Sequence, residues 1–147
     1  MFNGIIKDIG KIKKIYTIKS NCVIEIYSNT KFKKSEIGSS VSCSGTCLTL
    51  EKFNGSISTF YISKETINRT NYKYLQKGDF INLEKSLVFG NRISGHFVQG
   101  HIDTTSKVTK IVFIGKSWFI NFDLGKKYRK YLISKGSISI NGVSLTI

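Results

Sequence analysis

Hydrophobic and polar residues alternate over several short stretches of this chain, which is the pattern of half-buried β-strands. The clearest stretches are rich in β-branched and aromatic side chains, and glycine and asparagine separate them. Asn54-Gly55 lies between two of them and indicates a hairpin. Short helices are predicted over residues 63–74 and 126–134. The predicted strands cover residues 23–27, 57–62, 79–84 and 118–122, and a lysine-rich one ends at Ile15. So many short strands predict a small closed barrel, which leaves no free sheet edge.

Two segments of the chain occur twice. Phe-Asn-Gly-Ile-Ile at residues 2–6 returns as Val-Gln-Gly-His-Ile at 98–102, and Ser-Gly-Thr-Cys-Leu-Thr-Leu at 44–50 returns as Asn-Gly-Val-Ser-Leu-Thr-Ile at 141–147. The offset is 96 residues in the first case and 97 in the second. A period this long indicates a duplicated domain rather than a solenoid. We therefore expect one barrel over residues 1–87 and the start of a second, incomplete barrel over residues 88–147.

The second duplicated segment carries paired polar side chains. Side chains alternate between the faces of a strand, so Cys47 and Thr49 point to the face opposite Thr46, Leu48 and Leu50. A single strand of this kind ordinarily turns its polar face to water. Because the polar side chains occupy equivalent alternating positions in both copies, we favour two ligand pockets. The apolar faces are Thr46, Leu48 and Leu50 in one copy and Val143, Leu145 and Ile147 in the other, and Ser144 and Thr146 form the second polar face.

Both histidines lie in one segment, Gly95-His96-Phe97-Val98-Gln99-Gly100-His101. Each follows a glycine, which allows close approach of backbone or ligand. Imidazole is the side chain best suited to proton transfer near neutral pH. On an unbroken strand a spacing of five would put the two rings on opposite faces, in different roles. The alternative is a structural imidazole at either position. Ser63 and Thr66 are candidate caps of the helix that follows them.

The net charge of +14 raises the question of nucleic-acid binding. Only three of the 23 basic residues are arginine, and the lysines are spread along the chain, so a nucleic-acid partner is not favoured. Three cysteines, Cys22, Cys43 and Cys47, do not form a disulfide framework, and no metal site is predicted. No apolar run is long enough to span a membrane, and no signal peptide is apparent. We expect a cytoplasmic protein.

Several motifs of this chain resemble those of riboflavin synthase, a trimeric enzyme built from two barrels. They include Met-Phe-x-Gly-Ile-Ile, Gly-x-Cys-Leu-Thr, Lys-Glu-Thr-x-x-x-Thr-Asn and Gly-His-x-Val-x-Gly-His. Two positions depart from the family pattern: Asn3 stands where threonine is common, and Ser44 where asparagine is common. The motifs follow one another in family order at residues 1–6, 45–49, 64–71, 78–84, 95–103 and 135–147.

The resemblance implies an all-β fold of tandem six-stranded Greek-key barrels, each of which binds one substrate molecule. It also implies a reaction, in which two molecules of 6,7-dimethyl-8-ribityllumazine dismutate to riboflavin and 5-amino-6-(D-ribitylamino)uracil. No cofactor is required. Family members form homotrimers, with lumazine synthase as a further partner, and they continue past Ile147 through the closing strands of the second barrel to a terminal helix. The resemblance thus implies a chain that is C-terminally incomplete.

The resemblance also implies site residues. Cys47, His101, Ser144 and Thr146 fall on polar catalytic positions of the family. The substrate-binding positions are Gly4, Ile5, Ile6, Cys47, Leu48, Thr49, Tyr61, Ile62, Ser63, Lys64, Glu65, Thr66, Gly100, His101, Ile102, Lys135, Ser144, Leu145 and Thr146.

Two alternatives belong to other classes of protein. One is a non-catalytic lumazine- or flavin-binding protein of the same fold, against which the polar catalytic positions argue. The other is a basic barrel that binds single-stranded nucleic acid, for which stacking aromatic side chains and a cationic groove would suffice.

Overall fold

The first half of the chain is a closed antiparallel barrel of six strands in a computed structural model that describes all 147 residues. Around the barrel the strands follow the order β1-β2-β5-β4-β3-β6, and β6 pairs with β1 to close it. Because β5 and β4 lie between β2 and β3, the connection is of the Greek-key type. The strands are β1 Asp8–Ile18, β2 Asn21–Tyr27, β3 Ser40–Cys43, β4 Thr46–Asn54, β5 Ile57–Ile62 and β6 Phe80–Lys85. The predicted all-β barrel fold is confirmed.

The barrel interior holds the hydrophobic core of the molecule. Strand alternation sends one face of each strand inward, and the side chains of Ile24, Phe60 and Ile81 are almost fully buried there. One end is covered by a helical segment made of α1 (Lys64–Arg69) and a 3₁₀-helix (Asn71–Tyr74). Tyr72 belongs to the core and donates its hydroxyl to the carbonyl of Cys43. Every core residue of this cluster comes from the first half of the chain.

The second half consists of two separate hairpins rather than a closed barrel. Strands β7 (Lys107–Ile114) and β8 (Ser117–Asp123) form one two-stranded sheet, and β9 (Ser137–Ile140) and β10 (Val143–Thr146) form the other. Helix α2 (Lys126–Arg129) connects them. Most side chains of β7 and β8 are exposed, since no other element covers either face of that sheet.

The duplicated motif begins with the same tight turn in both halves. Residues Ser44-Gly45 join β3 to β4, and Asn141-Gly142 join β9 to β10. All four residues have positive φ, at 44° and 86° in the first turn and 49° and 82° in the second. Two-residue hairpin loops with φ > 0 at both positions match the twist of antiparallel strands. Ser44 adopts this conformation although asparagine tolerates it better than serine does.

The predicted elements largely agree with the structure. Strands occur at all the predicted positions, the Asn54-Gly55 turn joins β4 to β5, and Ser63 caps α1 by accepting the N–H of Thr66. The helix predicted over residues 126–134 is shorter, ending at Arg129. Residues 95–101 do not form the unbroken strand considered for the two histidines. Their only ladder pairing is the bridge between Val98 and Phe2. None of the helices has the length and apolar character needed to cross a bilayer.

Candidate functional site

An open cleft of about 870 Å³ lies between the first barrel and the segment that follows it. Cys47 on β4 and Thr66 on α1 form the barrel side of the cleft. His101 enters from the second repeat, and Tyr128 and Ile138 also line the cleft. A concave surface that combines polar groups with aromatic and aliphatic side chains is typical of a small-molecule site.

A hydrogen bond across the repeats fixes the position of His101. The Cys47 N–H donates to the Gly100 carbonyl at 2.9 Å. Gly100 has φ +83°, and a Cβ at this position would come within 2.7 Å of the Cβ of Cys47. Only glycine therefore allows this close approach. The next residue, His101, reaches the cleft beside Cys47.

A second site has the same construction with the repeats exchanged. The Ser144 N–H donates to the Gly4 carbonyl at 2.7 Å. Gly4 has φ +72°, and a Cβ there would lie 2.7 Å from the Cβ of Ser144. The Ser144 hydroxyl is hydrogen-bonded to His96 Nδ1 at 2.6 Å. This pair of a hydroxyl and an imidazole is chemically suited to moving a proton.

The two sites lie on either side of a contact between the repeats. Each site combines a glycine segment from one repeat, the residues around Gly4 or Gly100, with a strand from the other repeat. That strand, β4 or β10, follows the glycine of a Gly-x-x-Leu-Thr motif. Between them the two turns touch, since a Cβ on Gly45 would come within 2.7 Å of the Gly142 nitrogen and one on Gly142 within 2.8 Å of the Gly45 nitrogen. The molecule thus has approximate twofold symmetry around this glycine contact, and the first site and the second site are related by it.

The structure separates the four predicted catalytic residues into two groups. Cys47 and His101 line the cleft of the first site. Ser144 belongs to the second site, and Thr146 lies two residues farther along β10 with an exposed side chain. The four side chains do not converge on one point within this chain.

The predicted binding residues divide in the same way. Six of them line the first-site cleft, namely Cys47, Glu65, Thr66, Gly100, His101 and Ile102. Gly4 and Ser144 form the second site, and Ile6 packs close to Gly142 there. Tyr61 lies outside the cleft, in a separate shallow hollow with Tyr16 and Lys52. Lys135, at φ +63°, donates its N–H to the carbonyl of Ile147.

Sequence reasoning missed three features of the sites. His96 pairs with Ser144, although only His101 was assigned a catalytic position from the segment that holds both rings. Tyr128 and Tyr131 line the cleft, and no motif marked them. Glu84 lies at the end of a recognised motif and accepts hydrogen bonds from the backbone of the second site.

Charge and burial distinguish the three thiols. Burial raises the pKa of the Cys43 thiol, and burial also raises that of Cys22. Burial likewise raises the pKa of the Tyr72 hydroxyl. Those three buried groups stay protonated at neutral pH. Cys47 is only half-buried and faces the cleft, so it is the thiol that a ligand can touch.

The cleft also contains charged and hydrogen-bonding groups along α1. Arg69 Nε donates to Glu65 Oε1 at 3.1 Å, and both side chains lie at the cleft. Tyr128 stands across from them, and a hydrogen bond from Thr104 lowers the pKa of its hydroxyl. These groups offer donors and acceptors to a polyhydroxylated ligand.

A closed barrel with a polar and aromatic cleft is the architecture of small-molecule-binding β-barrel proteins. The family model described as the lumazine binding domain matches residues 3–86 and 99–147. Riboflavin synthases of Actinobacillus pleuropneumoniae and Bacillus subtilis are each 33% identical over the whole chain, which covers 68% of either protein. That of Buchnera aphidicola subsp. Schizaphis graminum is 37% identical, and 72% of it is covered. The chain belongs to the riboflavin synthase family.

Solved structures agree with this assignment. LumP complexed with riboflavin is 28% identical, has a TM-score of 0.84, and matches all of this chain and 80% of its own. LumP complexed with 6,7-dimethyl-8-(1'-D-ribityl) lumazine has a TM-score of 0.81, with 79% of its chain covered. The likeness extends over both repeats, so the arrangement of the first barrel and the two hairpins is a shared one.

Proposed function

We propose that this protein catalyses the riboflavin synthase reaction, in which two molecules of 6,7-dimethyl-8-ribityllumazine give riboflavin and 5-amino-6-(D-ribitylamino)uracil. The observation that carries the proposal is the pair of crossed hydrogen bonds, Cys47 to Gly100 and Ser144 to Gly4. They build two sites of the same design in one chain, which suits a reaction that consumes two copies of one substrate. The riboflavin synthases among its relatives support the same activity.

In the proposed reaction each of the two sites binds one lumazine. The first site would use Cys47, Thr66 and the 100–102 segment, and the second would use Gly4, Ser144 and the residues that follow it. The domain division at residues 87/88 is part of this proposal. The matched segments 3–86 and 99–147 support it, because each contains one glycine segment and one Gly-x-x-Leu-Thr strand.

The chemistry moves a four-carbon unit between two identical molecules. One lumazine loses a proton from its C7 methyl group, a nucleophile adds to the other, and the atoms of the two products equal those of two substrates. We assign proton transfer to His101 and to the Ser144 hydroxyl with Thr146 beside it, and a polar contact or proton relay to Cys47. Holding two substrates in a reactive pose supplies a large part of the acceleration.

The first and second sites of one chain are separate, on either side of the Gly45–Gly142 contact, and in the proposed reaction the two bound lumazines meet across two chains. We propose a homotrimer in which the first site of one subunit faces the second site of its neighbour, with lumazine synthase as a further partner. A cytoplasmic location belongs to the same proposal. Analytical ultracentrifugation should show a trimer, and a strict monomer that turns over lumazine would contradict it.

Incubation of the protein with 6,7-dimethyl-8-ribityllumazine tests the activity. Riboflavin and 5-amino-6-(D-ribitylamino)uracil should appear in equal amounts, as measured by liquid chromatography. His101→Ala and Ser144→Ala should each lower turnover about 10²- to 10⁴-fold, the usual range for loss of acid–base assistance. Ser117→Ala, an exposed serine at the start of β8, is the matched control and should retain turnover.

A second candidate function is ligand carriage without turnover. The similarity to LumP complexed with riboflavin and with flavin mononucleotide favours it. Under this alternative the protein would bind lumazine or riboflavin and leave both unchanged. Stable ligand fluorescence with no growth of the riboflavin signal would select it over the synthase.

A further inference from the structure

Glu84 is a buried carboxylate whose side chain accepts hydrogen bonds from backbone N–H groups alone. Its side chain lies on β6, and the residue is 4% exposed. Oε1 accepts the N–H of Asn3 at 2.7 Å, and Oε2 accepts the N–H of Gly4 at 3.0 Å. Two successive N–H groups converging on one anion form a backbone nest. Neither of the two ion pairs in the molecule involves Glu84, so these N–H groups are what offsets the cost of burying its charge.

The two residues held by Glu84 are the ones that hold the second site. The Gly4 carbonyl accepts the Ser144 N–H, and the Asn3 carbonyl accepts the His96 N–H at 3.2 Å. The Asn3 side-chain carbonyl also accepts the Gly95 N–H at 3.2 Å. A chain of hydrogen bonds therefore runs from the first barrel through the N-terminal segment to both members of the His96–Ser144 pair.

The first site has no such carboxylate. Gly100 is the repeat counterpart of Gly4 and meets Cys47 in the same way, but no acidic side chain accepts its N–H. Within this chain the Glu84 carboxylate therefore holds the glycine segment of the second site, and no acidic side chain holds that of the first.

We infer that Glu84 is a positioning residue for the second site: its carboxylate fixes Asn3 and Gly4, and through them it orients His96 and Ser144. This inference rests on the proposed function for the meaning of the site, because the His96–Ser144 pair matters to turnover only if the site binds lumazine. Glu84 itself does not contact the substrate in this scheme.

Amide hydrogen exchange tests the positioning without any ligand. Glu84→Gln keeps the shape of the side chain but presents an NH₂ group to one of the two N–H groups. The amides of Asn3, Gly4 and Ser144 should exchange at least about tenfold faster in this variant, as expected for loss of a charge-assisted hydrogen bond. The Cys47 amide should exchange at the wild-type rate. Unchanged exchange at Ser144, or equal acceleration at Cys47, would overturn the inference.

Two further variants serve as a control and as a replacement if Glu84→Gln does not fold. Glu51→Gln is the matched control, an exposed glutamate on β4 of the same barrel, and it should leave all four amides unchanged. If Glu84→Gln fails to fold, Glu84→Asp retains the charge but shortens the reach, and it should accelerate exchange at Ser144 to a smaller extent. Wild-type exchange in Glu84→Asp together with an unfolded Glu84→Gln would assign Glu84 a purely structural role and overturn the inference.

A double-mutant cycle in turnover connects the positioning to the reaction. Glu84→Gln should lower turnover about ten- to a hundredfold, the scale of a misplaced reacting group. In a Ser144→Ala background the same change should cost less than about twofold, because coupled residues are not additive, whereas in a Cys47→Ala background it should keep its full effect. Equal effects in both backgrounds would overturn the positioning role. A wild-type protein that neither binds nor converts lumazine would instead refute the proposed function, and the exchange result would stand.

Discussion

The two halves of this molecule repeat one strand motif in different surroundings. In the first half Thr46, Leu48 and Leu50 of β4 face the interior of a closed barrel and are buried. In the second half Leu145 has the same place in β10 but is 39% exposed, because β9 is its only partner strand. The comparison teaches that alternation of side chains specifies a strand and its faces, whereas burial requires the neighbouring strands that close the sheet.

The largest expected effect comes from one substitution made in both halves. Phe60 on β5 is 0% exposed and Phe119 on β8 is 55% exposed. Phe60→Ala should lower the free energy of unfolding by about 3–5 kcal/mol, since it opens a cavity in the core. Phe119→Ala should change it by about 0.5 kcal/mol or less. Urea unfolding measures both, and equal losses would mean that the second half has a core of its own.

The next effect concerns the glycines that make the two sites. Gly4→Ala and Gly100→Ala force a Cβ against Ser144 or Cys47, so each should weaken lumazine binding at its own site. Gly55→Ala also places alanine at positive φ but meets nothing within 4 Å. It should therefore lower the free energy of unfolding by only about 1–2 kcal/mol, the cost of a non-glycine residue at positive φ. Fluorescence titration that shows equal binding in all three variants would refute the shared geometry of the sites.

A smaller effect is expected from the tyrosines on the helical segments. Tyr72→Phe leaves the Cys43 carbonyl without its buried donor and should lower stability by about 1–3 kcal/mol. Tyr128→Phe removes an exposed hydroxyl that donates to the Asp103 carbonyl at 3.2 Å, and it should cost about 0.5 kcal/mol or less. Thermal unfolding distinguishes the two. A larger loss for Tyr128→Phe would show that α2 contributes more to stability than its exposure indicates.

The smallest effect is a pH dependence in the acid range that comes from one ion pair of the first half. Glu36 Oε1 accepts a hydrogen bond from Lys85 Nζ at 2.7 Å, which ties the 3₁₀-helix Lys34–Glu36 to β6 and lowers the pKa of Glu36. A lowered pKa in the folded state stabilises the protein above the unfolded value, and that part is lost as pH falls through the folded value.

For a pair that is about one-third exposed, the contribution is about 0.5 kcal/mol or less. The fall in the denaturation midpoint from neutral to acid pH should therefore be slightly smaller in Glu36→Gln than in the wild type. Glu65→Gln, at an exposed ion pair of α1, is the control and should follow the wild type. A greater acid sensitivity of Glu36→Gln than of the wild type would contradict the assignment.

Much of the first barrel could be predicted from the chain itself. Alternation marked β2, β5 and β6 nearly to their ends, and Asn54-Gly55 marked a hairpin because both are local signals. The segment around His96 and His101 was misjudged for the same reason. It has a strand-like composition, but its N–H and carbonyl groups pair with the N-terminal segment and with β4 instead of with one continuous neighbour.

The sequence identified the segments that form the candidate sites, but it did not show which segments combine in which site. Motifs placed Cys47, His101 and Ser144 among the polar site residues, yet nothing in their spacing showed that Cys47 would meet Gly100 while Ser144 would meet Gly4. Glu84 and Tyr128 carried no chemical signal of their own. Their relevance depends on partners from distant parts of the chain.

The sequence by itself showed the repeat, and it determined the strands, the Asn54-Gly55 turn and the polar faces, because each of these depends on neighbours within a few residues. Only the tertiary structure decided which repeat completes which site, that His96 pairs with Ser144, and that the Glu84 carboxylate holds the segment between them. The physical reason is that these are contacts between segments far apart in sequence, made when the first barrel closes and glycine at Gly4 and Gly100 lets two backbones come together.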